Sequence, residues 1–573
     1  MTKNSKPAKH PVALRSRLTM DGLTRASHRA FMRALGNDDD DLARPFVGVV
    51  GPSAEVTPCN LTIPGQMEAA KQGVREAGGT PVAFSTVAVS DGFSMSHQGM
   101  KFSLISREII ADSVEAVTRA HCYDAMVGFG GCDKTLPGII MGLVRLNIPS
   151  VFLYAGSALP GSFKGRPVTI LDAHEAIGGV LAGTVSEEDL NAIEHVCLPT
   201  AGACAGQYTA NTMAMVSEAL GIAPLGSSMV PAVYAERTAL ARRCGRIAMQ
   251  LLQNGGPLPR DLITRKSLEN AAALVAATGG STNLGLHLPA IGHEAGITFT
   301  LDDIAEVFAR TPLMADLQPG GRFVARDVFE IGGTPVILKT LLQGGYLHDD
   351  VLTLDGTLLA QALKEVPDAD GVVVRAPGQA ISESGGLVVL KGNLCPDGAM
   401  LKVAGLKSLV FEGPAQVFEH EEACMEAVRE KRYREGSVLV IRNEGPRGGP
   451  GMREMLGVTS LIYGQGMGEK VALITDGRFS GVTRGMCIGY AGPEAAAGGP
   501  IAHVRDGDVI CIDARAGTIE LKVSGEELAR RAADWQPPRY QHLGGTLEKY
   551  AAVVGPANLG AVTHSGAVEW PRE

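Results

Sequence analysis

The sequence predicts an α/β protein in two parts: an N-terminal parallel sheet flanked by helices and a C-terminal strand-rich, barrel-like part. Three observations predict it. Short apolar runs alternate with helix-like runs between Phe46 and Phe129, the pattern of a parallel sheet. A chain of 573 residues is too long for one core. Its 72 glycines and only 5% aromatics suit an α/β enzyme with many tight loops rather than a fibrous or disordered chain. The expected divisions are an N-terminal arm and helix over 1–44, an α/β domain over 45–369 and a strand-rich domain over 370–573.

Taken in order, residues 1–17 read as a loose basic arm, and Leu23 to Leu35 as an amphipathic helix stopped by Gly36-Asn37. After the acidic run Asp38 to Asp41, Phe46 to Val50 is apolar enough for a buried strand. A helix follows over about 65–76, ended by Gly78-Gly79. Pro81 to Val89 reads as the next strand, Ser106 to Ala120 as a helix and Ala125 to Phe129 as a third strand. The same alternation is expected to continue to about residue 345. Within it, Tyr208 to Leu220 is a clear helix, and Leu258 to Gly279 is largely helical before the polar turn Gly279 to Asn283. Near Pro367 to Gly371 the character changes. Short strands follow over 386–390, 437–441, 471–475 and 508–512.

Composition excludes several classes. A net charge of −9 lacks the basic face that nucleic acid requires. No apolar run reaches the roughly 18–20 residues of a membrane span. The basic N-terminus has no apolar core, so it is not a secretory signal, and ten irregularly spaced cysteines do not form a secreted disulfide framework. A reducing cytoplasm is the expected setting.

Chemistry concentrates in a few loops. Cys132-Asp133-Lys134 places a soft thiolate beside a hard carboxylate directly after an apolar strand. Thiolates select iron–sulfur clusters or zinc, and carboxylates select magnesium or manganese. Cys59, in Pro58-Cys59-Asn60, and Cys204, in Gly202 to Gly206, lie in similar Gly- or Pro-punctuated turns. Cysteine is by base rate a buried hydrophobe, a role that fits Cys244, Cys424 and Cys511 inside regular elements. No CxxC pair occurs, which argues against a zinc ribbon. Three loop cysteines suit a cluster with one open iron. Asp91 lies just past a strand, where parallel sheets bind ligands. Two later Gly-rich loops, Glu444 to Met455 and Thr475 to Gly481, offer Glu454 as an oxygen ligand and Ser480 as a nucleophile or base. His97 is a weaker candidate for substrate contact. No phosphate-binding glycine loop stands in the required strand–loop–helix context.

These motifs, in this order and with Ser106 to Ser113, Thr209 to Met213 and Gly448 to Met452, resemble the dihydroxy-acid and sugar-acid dehydratase family over essentially the whole chain. The resemblance implies a homodimer or dimer of dimers that dehydrates 2,3-dihydroxy acids to 2-keto acids. It implies a [2Fe–2S] cluster on Cys59, Cys132 and Cys204. Mg²⁺ would sit on Asp91, Asp133, Glu454 and a carbamylated Lys134, with Ser480 as the general base. Unmodified, Lys134 is a cation and would instead pair with Asp133. The overall pattern is nearer the branched-chain amino-acid enzymes, which points to valine and isoleucine synthesis. Gly131 and Leu61-Thr62 depart from that pattern near the cluster, so an aldonic-acid substrate, or broad specificity for both kinds of acid, stays open. A non-catalytic iron–sulfur sensor would need only the cysteines, and the retained carboxylates and Ser480 argue against it.

Overall fold

The computed structural model describes residues 13–537 and 544–566. Four strands form a parallel sheet: β1 (Phe46–Gly51), β2 (Thr80–Ser85), β3 (Ala125–Gly130) and β4 (Ser150–Tyr154), in the order β2-β1-β3-β4. β1, β3 and β4 are buried along their whole length, as a sheet covered on both faces requires. Helix Ile63–Glu76 crosses from β1 to β2, Lys101–Ala120 from β2 to β3, and Thr135–Leu146 from β3 to β4.

The expected alternation ends at β4. A small hairpin follows, β5 (Gly161–Phe163) and β6 (Arg166–Val168), and the chain to Gln343 is then helical. The reason lies in the side chains. Helix Thr209–Ala219, expected over 208–220, and helix Leu284–Glu294 are apolar or small nearly all round and fill the core themselves, leaving no place for further strands of the expected alternation. The helix expected over 258–279 is split into Pro259–Leu262 and Arg265–Thr278, because Thr264 caps the second piece through the Ser267 amide. The strand expected to reach Val89 stops at Ser85. Asp38 begins a short helix, Asp39–Ala43, instead of a solvated acidic run, and its carboxylate accepts the Asp41 amide at 2.9 Å. The first twelve residues of the expected loose arm lie outside the described residues. Its end is anchored: Ser16 N–H donates to Asp124 at 2.9 Å, and Arg17 donates to the carbonyls of Leu42 and Arg44.

The C-terminal part is one eight-stranded sheet. In chain order its strands are β7 (Leu387–Leu390), β8 (Gly398–Lys402), β9 (Val410–Phe418), β10 (Val438–Ile441), β11 (Ala472–Thr475), β12 (Met486–Gly492), β13 (Val509–Asp513) and β14 (Thr518–Leu521). They are ordered β14-β13-β9-β10-β11-β12-β8-β7. A bridge from Lys391, just after β7, to Thr518 of β14 ties the two edges into a barrel-like form. Its interior is filled by Leu401, Val440, Ile474, Ile488, Ile510 and Ile519, all buried. Burial of each such side chain contributes about 1.5–3 kcal/mol. β9 to β12 run parallel, joined by helices Glu421–Arg429 and Leu456–Gly464, so this part is α/β as well. Among the described residues no helix is long and apolar enough to cross a membrane.

Candidate metal centre

The parallel strands of both sheets aim their carboxyl ends at one place. The loop after β1 carries Cys59, the chain after β2 carries Asp91, and the loop after β3 carries Cys132, Asp133 and Lys134. The loops after β10 and β11 bring Glu454 and Ser480.

Local sequence fixes each loop. Thr135, the first residue of helix Thr135–Leu146, accepts the amides of Gly131 and Cys132 through Oγ1, both at 2.9 Å. A side chain at Gly131 would meet the Cys59 carbonyl at 2.2 Å, so only glycine lets the two cysteine loops lie this close. The Cys204 loop is stitched to the same place. Gly202 N–H donates to the Pro58 carbonyl at 2.9 Å, and Asn211 holds the Cys204 carbonyl at 2.9 Å. At Gly451, φ is +92°, and a Cβ there would strike the Lys101 carbonyl at 1.7 Å. This close seat brings the Glu454 loop down onto the helix that follows Asp91. The Glu454 loop then pairs with the Arg478 loop, Met455 N–H to the Arg478 carbonyl at 3.0 Å.

Oxygens of Asp91, Asp133 and Glu454 lie within 4.8 Å of one another. Lys134 is fully buried among them. It donates to Asp91 at 2.5 Å and to Glu454 at 3.0 Å, so its partners are these two and not Asp133. Burial pushes its ammonium toward lower pKa, but Asp91 and Glu454 outweigh burial and the net direction is upward. Burial, and then the neighbouring Asp91, raise the Asp133 carboxyl to about 7. Burial also opposes ionisation of Glu454, but Lys134 and Arg478 prevail and its pKa falls. Glu454 Oε1 accepts from Lys134, Asn283 (2.6 Å) and Arg478 (2.7 Å), while Oε2 is buried with no partner. A carboxylate oxygen left open beside two more carboxylates suits a hard divalent cation.

The thiols form the second donor set. Cys59 and Cys132 are buried, Cys204 is partly so, and no disulfide forms. Contact with Cys59, then burial, pushes the Cys132 thiol well up, and burial followed by the Asp133 charge raises Cys204. Three thiols held unpaired among carboxylates fit a cationic iron group that would stabilise their thiolates. Ser480 is nearly buried, and the loop it begins packs with Cys204: Val482 shares an apolar cluster with that cysteine. His97 is apart from this centre. It is exposed, and it closes its own turn through the Gly99 amide and the Phe93 carbonyl. Of the two departures noted beside Cys59, Leu61 is exposed and Thr62 accepts from Gln66 at 2.9 Å.

Several residues of the centre were not singled out from the sequence. Arg478 neutralises Glu454, and Asn283 bridges Glu454, Thr209 and Tyr490. Ser103 donates to Asp91 at 2.7 Å. Asn283 had a signal, since it ends a polar Gly-rich turn. Ser103 had none.

Two α/β halves closing over a largely buried carboxylate triad and three free thiols make an enzyme with its polar centre at the seam. The family model for the dihydroxy-acid/6-phosphogluconate dehydratase N-terminal domain matches residues 44–362, and that for the C-terminal domain matches 372–561. The chain belongs to this family. It is similar to dihydroxy-acid dehydratase 2 of Bordetella bronchiseptica, at 64% identity over 98% of each chain. It is 61% identical to dihydroxy-acid dehydratase 3 of Bradyrhizobium diazoefficiens, covering 97% of this chain and 96% of that one. The dihydroxy-acid dehydratase of Parvibaculum lavamentivorans is 56% identical over 96% of each chain.

Proposed function

We propose that this chain is a hydro-lyase that dehydrates 2,3-dihydroxy carboxylic acids to 2-keto acids. The substrate type is 2,3-dihydroxy-3-methylbutanoate, which gives 3-methyl-2-oxobutanoate in valine and isoleucine synthesis. One observation carries this reading: a thiol set and a carboxylate set meet at the single loop Cys132-Asp133. The names of the relatives support the substrate class. We also propose a division into domains near residue 370, a homodimer or dimer of dimers, and a cytoplasmic setting.

In this reading Cys59, Cys132 and Cys204 hold a [2Fe–2S] cluster, and Asp91, Asp133 and Glu454 hold Mg²⁺. When bound, the two groups would supply Lewis acidity, favouring loss of the C2 proton and departure of the C3 hydroxyl. The protein holds them and moves the protons. Lys134 as an ammonium lies between Asp91 and Glu454, where a cation would compete with it. Carbamylation of the neutral amine by CO₂ releases a proton and turns that charge into an anionic oxygen donor. Arg478 and Asn283 keep Glu454 Oε1 occupied and leave Oε2 for the cation. Ser480 Oγ accepts the C2 proton, and a serine does this only with its pKa strongly lowered by nearby positive charge. The proton taken from C2 balances the one with which the C3 hydroxyl departs as water, and the resulting enol tautomerises to the keto acid.

The test is anaerobic turnover by the reconstituted protein on 2,3-dihydroxyisovalerate, D-xylonate, L-arabinonate and D-gluconate in parallel, scoring 2-keto acid. The branched acid is expected to be strongly preferred. Equal or better rates on the sugar acids would replace the biosynthetic reading with a promiscuous or an aldonic-acid dehydratase, and no turnover of any acid by loaded protein would favour a sensor.

A further inference from the structure

Asn60 presents an unsolved polar problem beside the thiols. It is the last residue of the 3-10 turn Pro58–Asn60, its side chain is completely buried, and among the described residues neither Nδ2 nor Oδ1 has a partner. A buried amide without partners is costly and rare, because it gives up its bonds to water and gets none back. The backbone does not require the residue: Asn60 N–H simply closes the turn onto the Thr57 carbonyl at 3.2 Å.

Its position is informative. Asn60 follows Cys59 directly, and its Oδ1 lies 2.6 Å from where a Gly131 Cβ would stand, one residue before Cys132. The amide is therefore wedged between the loops that carry Cys59 and Cys132. Among the described residues Nδ2 has no protein acceptor, and the loops on either side of the amide each carry a thiol, Cys59 on its own loop and Cys132 directly after Gly131. Thiolate and sulfide sulfurs accept hydrogen bonds from amide N–H groups, and such bonds withdraw electron density from sulfur and raise a cluster's reduction potential.

We propose that the Asn60 side-chain amide donates a hydrogen bond to a sulfur of the iron–sulfur group held by Cys59, Cys132 and Cys204. Asn60 thereby acts as a positioning residue that sets the electron-accepting strength of that group. The proposal rests on the reading of these three cysteines as cluster ligands.

The test begins with anaerobic reconstitution of the full chain with iron and sulfide. Wild type that binds neither overturns the three-cysteine reading and this proposal with it. With the cluster in place, Asn60→Leu, close in size but without donors, is expected to bind the same iron and sulfide per chain. Its midpoint potential is expected to shift negative. Its reduced EPR-active form should lose an exchangeable deuteron coupling that wild type shows after D₂O exchange. Loaded Asn60→Leu with unchanged potential and unchanged couplings overturns the Asn60 proposal while leaving the cysteine reading intact. A measurement on wild type guards against a variant that fails to load. Labelling asparagine with ¹⁵N at the side-chain amide should produce a weak ¹⁵N coupling to the reduced cluster, and its absence overturns the proposal independently of any mutation.

Discussion

Lys402, at the end of β8, is buried; among the described residues its Nζ donates to the Gly481 carbonyl at 2.9 Å and meets no carboxylate. Burial lowers its pKa from the ordinary 10.5 to about 7. The unfolded chain therefore holds a proton between pH 7 and 10.5 that the folded chain has released. By linkage the destabilising effect is full below pH 7 and fades as pH rises toward 10.5. Lys402→Met is accordingly expected to raise the melting temperature at pH 6 and to gain less at pH 9. An equal difference at both pH values would refute the assignment. The candidate site residues could be picked out one at a time, because Cys59, Cys132, Cys204 and Glu454 stand in Gly- or Pro-rich turns where nothing else demands them. Lys402, Arg478 and Asn283 were not, because their roles exist only through contacts such as Asn283 to Glu454, 171 residues apart. Reading Lys134 as a partner of Asp133 failed for the same reason. Adjacent residues on a tight loop point apart, and the ammonium turns to Asp91 and Glu454.

Between elements, small residues set the spacing. Helix Ile63–Glu76 crosses helix Glu236–Asn254 at Gly73 and Gly245. A Cβ at Gly73 would lie 1.9 Å from the Arg242 carbonyl, and one at Gly245 would lie 2.1 Å from that of Ala70. The backbones touch, so there is no side chain to move aside. Gly245→Leu is expected to destabilise by about 1–3 kcal/mol or more, as overpacking does. A thermal melt reads this directly, and an unchanged melting temperature would show that the crossing tolerates separation. Helix Ile63–Glu76 and the β1 and β3 strands were legible from periodicity, since each has an apolar face or run of the right length. In the region from 209 to 343 the helices over 208–220 and 258–279 were legible, whereas the strands of the expected alternation do not form. Fully buried helices carry apolar residues all round, and their short apolar runs look like strands. Closure of the barrel through Lys391 and Thr518 had no local signal, because it joins segments more than a hundred residues apart.

At the scale of the whole molecule, the carboxylate triad joins the two halves. Asp91 and Asp133 come from the parallel sheet, Glu454 from the barrel, and their oxygens lie within 4.8 Å. A cation bound there must be bound by both halves in their native arrangement. Anything that binds only the folded state stabilises it by mass action, about 2.7 kcal/mol at one hundred times Kd. Mg²⁺ is therefore expected to raise the melting temperature of wild type over that in chelator. Glu454→Gln is expected to remove most of that increment, even though two of the three carboxylates remain, because the barrel half no longer supplies an anionic oxygen. Asp91→Asn, on the other half, should remove it to a similar degree. The comparison is made within each variant, with and without Mg²⁺. The separate cost of leaving Arg478 beside a neutral amide in Glu454→Gln thus cancels and does not enter the increment. If Glu454→Gln kept the full Mg²⁺ increment, the cation would be held by the parallel-sheet half alone, and the seam between the halves would have some other purpose.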